Sequence, residues 1–407
     1  MFLIYAKNIF VCDEKFTILK NQAFVFDKKI KEFGNLQNLQ KKYPNAKLIK
    51  TSKNSLILPA FINSHTHLEF SANAYDLAYG DFITWLKSVI KSRVSLNEKA
   101  KKRLILNTIK NMQKTGTATI GAISSFGSDL IPCVKSGARI VYFNEILGSS
   151  ESENEIKKAD FLKRFNESLK FKNDLFIPAI SLHSPYSTNL TLAKFALNLA
   201  KTHKNLLSVH FLESKAENEW LRKESGDFKK WFLNFNKNIK PLHKIDDFLA
   251  LFNGQRTLFT HCVFLKEFEK LDKHLHSITH CAFSNRLLSQ KSLNLKRVLK
   301  SGLNIHLGTD GLSSNISLSI LDEMRANLLI HKEFELKSLA KKLLLMATLY
   351  PARALNFNDL GSLEIGKSAD FSVCEVGECD EKQLPLQFIL KTKEVKDLFI
   401  RGEKCNL

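Results

Sequence analysis

Apolar runs and helical stretches alternate along most of this chain. Eight short apolar runs each end in or near a polar or ionisable residue; in order they are LILPAFINSH, TATIGAIS, ARIVYFNEIL, LFIPAISLH, LLSVHF, RTLFTH, HSITHCAF and GLNIHLGTD. Amphipathic stretches such as EKAKKRLILNTIKNMQKTG and NLTLAKFALNLAKTH separate them. Strands that alternate with helices pair in parallel. Eight such units within about 300 residues predict an α/β fold, a (β/α)8 barrel.

Both ends of the chain follow a different pattern. Residues 1–57 contain short strand-like runs and turns, IYAKNIFVC, FTILKNQAFVFD and KIKEFG, without a long helical stretch. The last residues return to this style in GSLEIGKSADFSVCEV and EVKDLFIRGEKCNL. We predict that residues 1–57 and 358–407 form one small composite β-sandwich and that residues 58–357 form the barrel.

Ionisable residues stand at the ends of the predicted strands. Parallel barrels carry their active sites at the carboxyl ends of the strands, so these residues are the candidates for chemistry. They are His65, His67, Glu145, His183, His210, His261, His280 and Asp310. Four other histidines we assign to the surface: His203, His243, His274 and His331.

Four of the candidates have the chemistry of a metal site. His65 and His67 are separated by one residue, so in a strand their side chains point the same way. His210 ends the fifth predicted strand and Asp310 the eighth. Three imidazoles and one carboxylate suit a divalent first-row metal with room for a water. Zinc is the first expectation and ferrous iron the alternative, because both accept these ligands.

Glu213 and His261 are candidates for proton transfer. Glu213 follows His210 by three residues, and His261 ends the sixth predicted strand. A metal lowers the pKa of bound water, and a carboxylate and an imidazole nearby can then move protons. Structural alternatives exist for each: Asp310 in GTDG fits a turn, and a single histidine fits a core. Glu213 and Glu217, four residues apart, fit a solvated helix face.

Composition excludes several other classes of protein. The chain has 407 residues, 44% hydrophobic and 25% charged, which is ordinary for a globular protein. Its net charge of +20 arises from lysines spread along the chain, without the basic and aromatic stripe that indicates nucleic-acid binding. The amino terminus does not fit a signal peptide, and no apolar run approaches a membrane span. Seven cysteines without a C-x-x-C pair favour a reduced, cytoplasmic protein.

Six motifs extend over nearly the whole chain: PAFINSHTHLE, HFLE, SLHSPYS, FTHC, GTDGLSSN and GSLEIGKSAD. Together they resemble the amidohydrolase superfamily, in particular its chlorohydrolase-like and nucleoside-type aminohydrolases. The resemblance implies a TIM barrel with a composite β-sandwich and a metal site. The ligands that it implies are His65, His67, His210 and Asp310, and the catalytic residues are Glu213, His261 and Asp310. The fourth predicted strand lacks the lysine that binuclear members carboxylate, so we expect one metal.

HTHLEFS followed by GDFITWLKSVI is most similar, within this branch, to the aminodeoxyfutalosine deaminases. This resemblance implies hydrolysis of 6-amino-6-deoxyfutalosine, an adenine nucleoside, to futalosine and ammonia in menaquinone biosynthesis. The nucleoside pocket that it implies is lined by Glu69, Trp85, Glu145, His183 and Tyr186. The distal carboxylate of that substrate needs a partner, for which Arg139 and Arg286 are candidates.

Other functions stay open. The chain could deaminate S-adenosylhomocysteine, methylthioadenosine or adenosine, or it could be a chlorohydrolase or a cyclic-amide hydrolase. A non-catalytic binding scaffold is the remaining class, and it predicts no bound metal. The sequence does not determine the oligomeric state, so a homodimer is open as well.

Overall fold

The computed structural model describes residues 1–72, 77–92 and 98–407. The strands are β1 (Phe2–Phe10), β2 (Ile18–Phe26), β3 (Ile30–Gly34), β4 (Lys47–Ile49), β5 (Ser55–Pro59), β6 (Phe61–Thr66), β7 (Thr117–Ser124), β8 (Arg139–Ile146), β9 (Phe176–Leu182), β10 (Leu207–Phe211), β11 (Thr257–His261), β12 (His276–His280), β13 (Asn304–Leu307), β14 (Phe371–Glu375), β15 (Asp397–Ile400) and β16 (Glu403–Lys404). The helices are α1 (Leu36–Lys42), α2 (Phe82–Ser92), α3 (Glu98–Lys114), α4 (Leu130–Lys135), α5 (Asn154–Leu169), α6 (Leu190–His203), α7 (Lys215–Lys223), α8 (Gly226–Phe232), α9 (Ile245–Ala250), α10 (Ala282–Ser289), α11 (Leu295–Ser301), α12 (Ile320–Ile330), α13 (Leu336–Ala347), α14 (Leu349–Ala354) and α15 (Leu384–Lys391).

Strands β6 to β13 form a parallel eight-stranded sheet in chain order. Every residue of β7 and β8 is buried, as expected for strands covered on both faces. The first and last strands meet where the N–H groups of Thr309 and Asp310 donate to the carbonyl oxygen of His65, each at 3.1 Å. The predicted (β/α)8 barrel is confirmed, and all eight apolar runs contain its strands.

A second sheet combines strands from both ends of the chain. Its order is β16-β15-β14-β5-β1-β2-β3, with β4 beside β1. Phenylalanines fill its core; the rings of Phe371 and Phe399 stack at 4.5 Å, and Phe26 meets Phe371 edge to face at 5.1 Å. The run LILPAFINSH serves both sheets, because it divides at Ala60 into β5 and β6. The domain boundaries at residues 57/58 and 357/358 stay predictions.

Two histidines assigned to the surface are buried. His243 Nε2 is 2.7 Å from the Thr188 carbonyl oxygen, and His331 contacts His280 in the interior. The surface prediction for these two is wrong, because a buried imidazole is stable where a partner satisfies it. In the described part of the chain, no helix has the length and apolar character needed to cross a membrane.

Candidate active site

Three histidines and one aspartate converge at the carboxyl ends of the barrel strands. His65 lies on β6, His67 directly follows it, His210 lies on β10, and Asp310 follows β13. The ring centroids of His65 and His67 are 4.9 Å apart, and the Nε2 atoms of His67 and His210 are 3.0 Å apart. Asp310 Oδ1 lies 3.6 Å from His65 Nε2 and 3.4 Å from His67 Nε2. The structure thus brings together the four residues predicted to bind a metal.

Hydrogen bonds determine which atom each side chain turns towards the others. His210 Nδ1 lies 2.8 Å from the carbonyl oxygen of His183, so Nδ1 carries the proton and Nε2 the lone pair. The hydroxyl groups of Ser284 and Ser314 both donate to Asp310 Oδ2 at 2.7 Å, which leaves Oδ1 for the imidazoles. Outer hydrogen bonds of this kind are typical of metal-binding side chains.

The charge states of these groups suit a cation. Burial, the main cause, lowers the pKa of His67 to about 3 and, with the neighbouring imidazoles, the pKa of His210 well below its ordinary value. Burial raises the pKa of Asp310, but the contact with His65 and the other nearby imidazoles hold it well below its usual range. Among the described residues, buried His65 Nε2 has no hydrogen-bond partner. Neutral imidazole nitrogens that face a carboxylate fit a divalent cation.

Glu213 and His261 lie beside this cluster. Glu213 Oε1 is 3.6 Å from His261 Nε2, and with Asp310 they form a group whose ligand atoms lie within 4.8 Å of one another. Burial, followed by the charges of Asp310 and Glu217, raises the pKa of Glu213 well above its ordinary value, which favours its protonated form. Burial lowers the pKa of His261 to about 4, so its ring is neutral. The pair is therefore a proton donor beside a proton acceptor.

The turns that carry these residues are strained. Leu212, His261 and Asp310 have φ angles of 47°, 74° and 58°, in the left-handed region that residues other than glycine rarely adopt. The Glu217 carboxylate accepts from the N–H groups of Leu212 and Glu213 at 3.0 and 2.8 Å. These contacts hold the turn after β10 and aim Glu213 into the mouth of the barrel.

A cavity opens above the cluster. With its mouth, which is open to solvent, it encloses about 670 Å³ of space that no protein atom occupies. Four of the five predicted substrate-binding residues line it, namely Trp85, Glu145, His183 and Tyr186. Burial raises the pKa of Glu145 to about 7, and the Ser125 hydroxyl donates to its Oε2 at 2.6 Å. Within the described chain Glu145 Oε1 has no hydrogen-bond partner and is available to a ligand.

Glu69, the fifth predicted residue, does not line the cavity. Its Oε2 accepts from the N–H groups of Ser125 and Phe126 at 2.7 and 2.9 Å. Its Oε1 accepts from the N–H and hydroxyl groups of Ser128 at 2.8 and 2.7 Å. Both carboxylate oxygens thus accept hydrogen bonds from the loop after β7. Glu69 positions Ser125 and Phe126, which line the cavity.

The two arginines considered for a distal carboxylate lie elsewhere. Arg139 stands at the amino end of β8, where its guanidinium is 2.8 Å from the buried Asp370 carboxylate. It is separated from the cavity by the length of the strand, so Arg139 is not placed to bind a distal carboxylate. Arg286 is exposed on α10 and is not part of the cavity wall. No lysine or arginine belongs to the wall as far as the described residues define it.

Sequence reasoning missed most of the apolar wall. Its further members are Phe70, Phe82, Leu86, Val89, Phe126, Leu147, Ser125 and Ser313. Phe70 and Phe126 follow strand ends by a few residues, so their position in the carboxyl-end loops was a usable signal. Phe82 precedes Trp85 by three residues on α2, which places both on one helix face.

Known proteins resemble this chain along its whole length. A family model described as the amidohydrolase family matches residues 56–405. Aminodeoxyfutalosine deaminase of a Nitratiruptor species is 42% identical over 95% of this chain and 96% of its own. Adenosine deaminase of Helicobacter pylori is 41% identical over 99% of each chain. The crystal structure of Helicobacter pylori aminofutalosine deaminase in complex with methylthio-coformycin matches 100% of both chains, with a TM-score of 0.93 at 40% identity.

Proposed function

The chain belongs to the amidohydrolase family, and from this premise we propose that it is a metal-dependent hydrolytic deaminase of an adenine nucleoside. The observation that carries the proposal is the 3.6 Å contact between Glu213 Oε1 and His261 Nε2, in a cavity that His67, His210 and Asp310 also line. Replacing a purine amino group by oxygen needs a proton donor for the ring and an acceptor for a proton of water. The two deaminases at 41% and 42% identity support the same reaction.

His65, His67 and His210, through Nε2, and Asp310, through Oδ1, would hold one divalent metal. We propose zinc, with ferrous iron as the alternative, from the donor set of three imidazoles and a carboxylate. When bound there, a divalent ion acidifies water towards neutral pH and stabilises developing negative charge.

The side chains divide the proton transfers among them. Glu213 donates its proton to the ring nitrogen beside C6, which makes that carbon more electrophilic. His261 orients the attacking water by accepting a hydrogen bond at Nε2, and Asp310 helps to remove the proton. The proton taken from water passes to the amino group, the C6–N bond breaks and ammonia leaves. The hydroxyl proton that remains on the intermediate returns to Glu213, and the purine keeps the oxygen as a carbonyl. Preplaced groups of this kind stabilise the charged transition state more than the substrate.

The cavity wall offers contacts for a nucleoside. The indole N–H of Trp85 donates to the Ser313 carbonyl oxygen at 2.7 Å, so its ring face is what remains for a ligand. Tyr186 and Phe82 pack edge to face at 6.3 Å and extend this aromatic surface. Glu145 Oε1 can accept from a hydroxyl group, and His183 lies beside it on the wall. Aromatic faces with a few polar groups are typical of sites for flat heterocycles.

The substrate that we propose is 6-amino-6-deoxyfutalosine, which would become futalosine in menaquinone biosynthesis. Support comes from the relative named for this reaction, at 42% identity over 95% of this chain. The proposal places the enzyme in the cytoplasm, with a small nucleoside and no nucleic acid or membrane as its partner. A homodimer stays a prediction.

A broader nucleoside deaminase is the second candidate. The relative named adenosine deaminase is 41% identical over 99% of this chain, and the structure at 40% identity holds methylthio-coformycin. Both observations favour adenosine, methylthioadenosine or S-adenosylhomocysteine as alternative substrates.

Steady-state kinetics on a panel of nucleosides test the proposal. We expect kcat/KM for 6-amino-6-deoxyfutalosine to exceed that for adenosine, guanine and S-adenosylhomocysteine by at least about tenfold, equivalent to about 1.4 kcal/mol. A remote group that binds adds to transition-state stabilisation, so substrates without it should react more slowly. A higher kcat/KM for methylthioadenosine or S-adenosylhomocysteine would favour the second candidate. Chloride release from a chlorinated triazine, without ammonia release from any nucleoside, would contradict both.

A further inference from the structure

A row of side chains leads from His261 to the surface through three hydrogen-bond contacts and one ion-pair contact. His261 Nδ1 is 2.9 Å from Asn285 Oδ1, and Asn285 Nδ2 is 3.2 Å from His280 Nδ1. His280 Nε2 is 3.1 Å from His331 Nε2, and His331 Nδ1 is 3.6 Å from Glu333 Oε1. Glu333 is exposed, whereas the other four residues are buried. We propose that this row sets the tautomer of His261 and so keeps its Nε2 ready to accept a proton.

Burial favours the neutral form of the two outer imidazoles of the row. Burial with the neighbouring His331 and His261 lowers the pKa of His280 well below its ordinary value. Burial also lowers the pKa of His331, and Glu333 opposes that effect. Asn327, the other polar side chain beside His280, raises its pKa by less than burial lowers it. A neutral imidazole has one N–H and one lone pair, so a ring that accepts at one nitrogen donates from the other. The donor-to-acceptor direction is therefore the same at every ring of the row.

Along the row, the donors can all point towards Glu333 or all point towards His261. The contact of His331 with Glu333 favours the first of these two directions. In that direction His331 carries its proton on Nδ1, which faces the Glu333 carboxylate, and His280 donates from Nε2 to His331. Asn285 then donates from Nδ2 to His280 and accepts at Oδ1 from His261 Nδ1. In the reverse direction the lone pair of His331 Nδ1 faces the Glu333 carboxylate, which only accepts hydrogen bonds when ionised. Two acceptors that face each other repel, so the surface carboxylate selects the first direction.

The selected direction leaves the lone pair of His261 on Nε2. This atom faces Glu213 Oε1 at 3.6 Å, and in the described chain it has no hydrogen-bond partner. An N–H at Nε2 would instead donate to Glu213 and could not accept from water. Asn285, His280 and His331 are positioning residues, since none of them belongs to the cavity wall that the described residues form. The effect on turnover rests on the proposed function, whereas the tautomer does not.

NMR reads the tautomer directly. In holoenzyme labelled with [15N]histidine, protonated and bare ring nitrogens give separate signals, and those of His261 are identified by their loss in His261→Gln. We expect Nδ1–H in the wild type. Asn285→Leu removes the acceptor at similar volume and His331→Phe removes the link to Glu333, so both should give a population with Nε2–H. Glu333→Gln should have a weaker effect of the same kind, because an amide both donates and accepts. His276→Gln is the control, since His276 is a buried histidine outside the row.

Kinetics distinguish positioning from a loss of structure. Asn285→Leu should lower kcat by about tenfold or more while KM changes by less than about twofold. Asn285→Asp keeps an acceptor for His261 and should retain most of the turnover. Unchanged His261 signals in both Asn285→Leu and His331→Phe would overturn the proposal, as would equal losses of kcat in Asn285→Leu and Asn285→Asp. A wild-type protein without deaminase activity would refute the proposed function and leave the NMR result standing.

Discussion

At the scale of single residues, the atoms left over after structural hydrogen bonds decide what a side chain can do. Glu69 and Asp310 are both buried carboxylates close to the cavity, yet they differ in this respect. Both oxygens of Glu69 accept from the loop after β7, whereas Asp310 keeps Oδ1 towards two imidazoles. His210 likewise engages Nδ1 with the His183 carbonyl oxygen and keeps Nε2. The type of a residue thus indicates a possible role. The donor and acceptor atoms that it does not use in structural hydrogen bonds determine whether it can perform that role.

The metal prediction belongs to this scale. His65→Ala and His210→Ala each remove one of four donors, so bound metal and activity should fall together. Metal content per chain is measured by elemental analysis of the purified variants. His276→Ala, which removes a buried imidazole at the amino end of β12, is the matched control and should keep its metal. One equivalent of metal still bound in both His65→Ala and His210→Ala would refute the ligand assignment.

Glu213→Gln separates chemistry from metal binding. The amide keeps the size of the carboxyl group but cannot shuttle a proton, so we expect kcat to fall by about two or more orders of magnitude. Metal content should stay at the wild-type level. Glu219→Gln, on helix α7 after the turn and more exposed, is the control. Turnover close to wild type in Glu213→Gln would show that Glu213 takes no part in the proton transfers.

At the scale of elements, the strand ends position the chemistry. Each of β10, β11 and β13 is followed or ended by a residue in the left-handed region, which turns the chain sharply at the barrel mouth. Strained backbone of this kind persists only where the surroundings hold it. After β10, the holding group is Glu217 on α7, which accepts from two consecutive N–H groups.

Glu217→Gln tests this support. The amide keeps one acceptor oxygen but places an NH2 group against a backbone N–H, so one buried donor loses its partner. We expect the free energy of unfolding to fall by about 1–3 kcal/mol and kcat to fall as well, because Glu213 is no longer held. Urea denaturation and steady-state kinetics measure the two effects, with Glu219→Gln again as the control. Unchanged stability and turnover would show that the turn after β10 keeps its conformation without the Glu217 carboxylate.

At the scale of the whole molecule, a buried ion pair joins the barrel to the terminal sheet. Arg139 at the amino end of β8 is 2.8 Å from Asp370, which directly precedes β14. Asp370 also accepts from the N–H of Arg401 at 2.8 Å. β14 pairs with β5, and β5 leads directly into β6 of the barrel. The ion pair is therefore a second link between the two sheets, in addition to this chain connection.

Asp370→Ala should therefore destabilise the molecule strongly. It leaves the buried Arg139 guanidinium without its carboxylate, which typically costs about 3–5 kcal/mol. Glu378→Ala is the control, because it breaks an ion pair with Lys7 at 3.4 Å on the exposed side of the same sheet. That change should cost about 0.5 kcal/mol or less. Chemical denaturation measures both, and similar losses in the two variants would contradict the structural role of the buried pair.

The sequence alone determined the barrel and the set of residues at its mouth. Strand periodicity places His65 and His67 on one side, and parallel topology brings the ends of distant strands such as β10 and β13 to one edge. These rules are local or topological, so they need no knowledge of side-chain packing. They predicted where His210, Glu213 and Asp310 would gather.

Only the tertiary structure decided which side chains face the ligand and which face the protein. Glu69 is satisfied by residues 56 to 59 positions away, and Arg139 by Asp370, 231 positions away. His331 meets His280 across 51 positions, in a contact that no periodicity predicts. Hydrogen bonds between polar groups depend on distances of a few tenths of an ångström and on orientation, which the pattern of a sequence does not contain. The pattern of apolar and polar positions along the chain determines the topology. Side-chain packing determines which donor and acceptor atoms have no partner in the protein and can therefore contact a ligand.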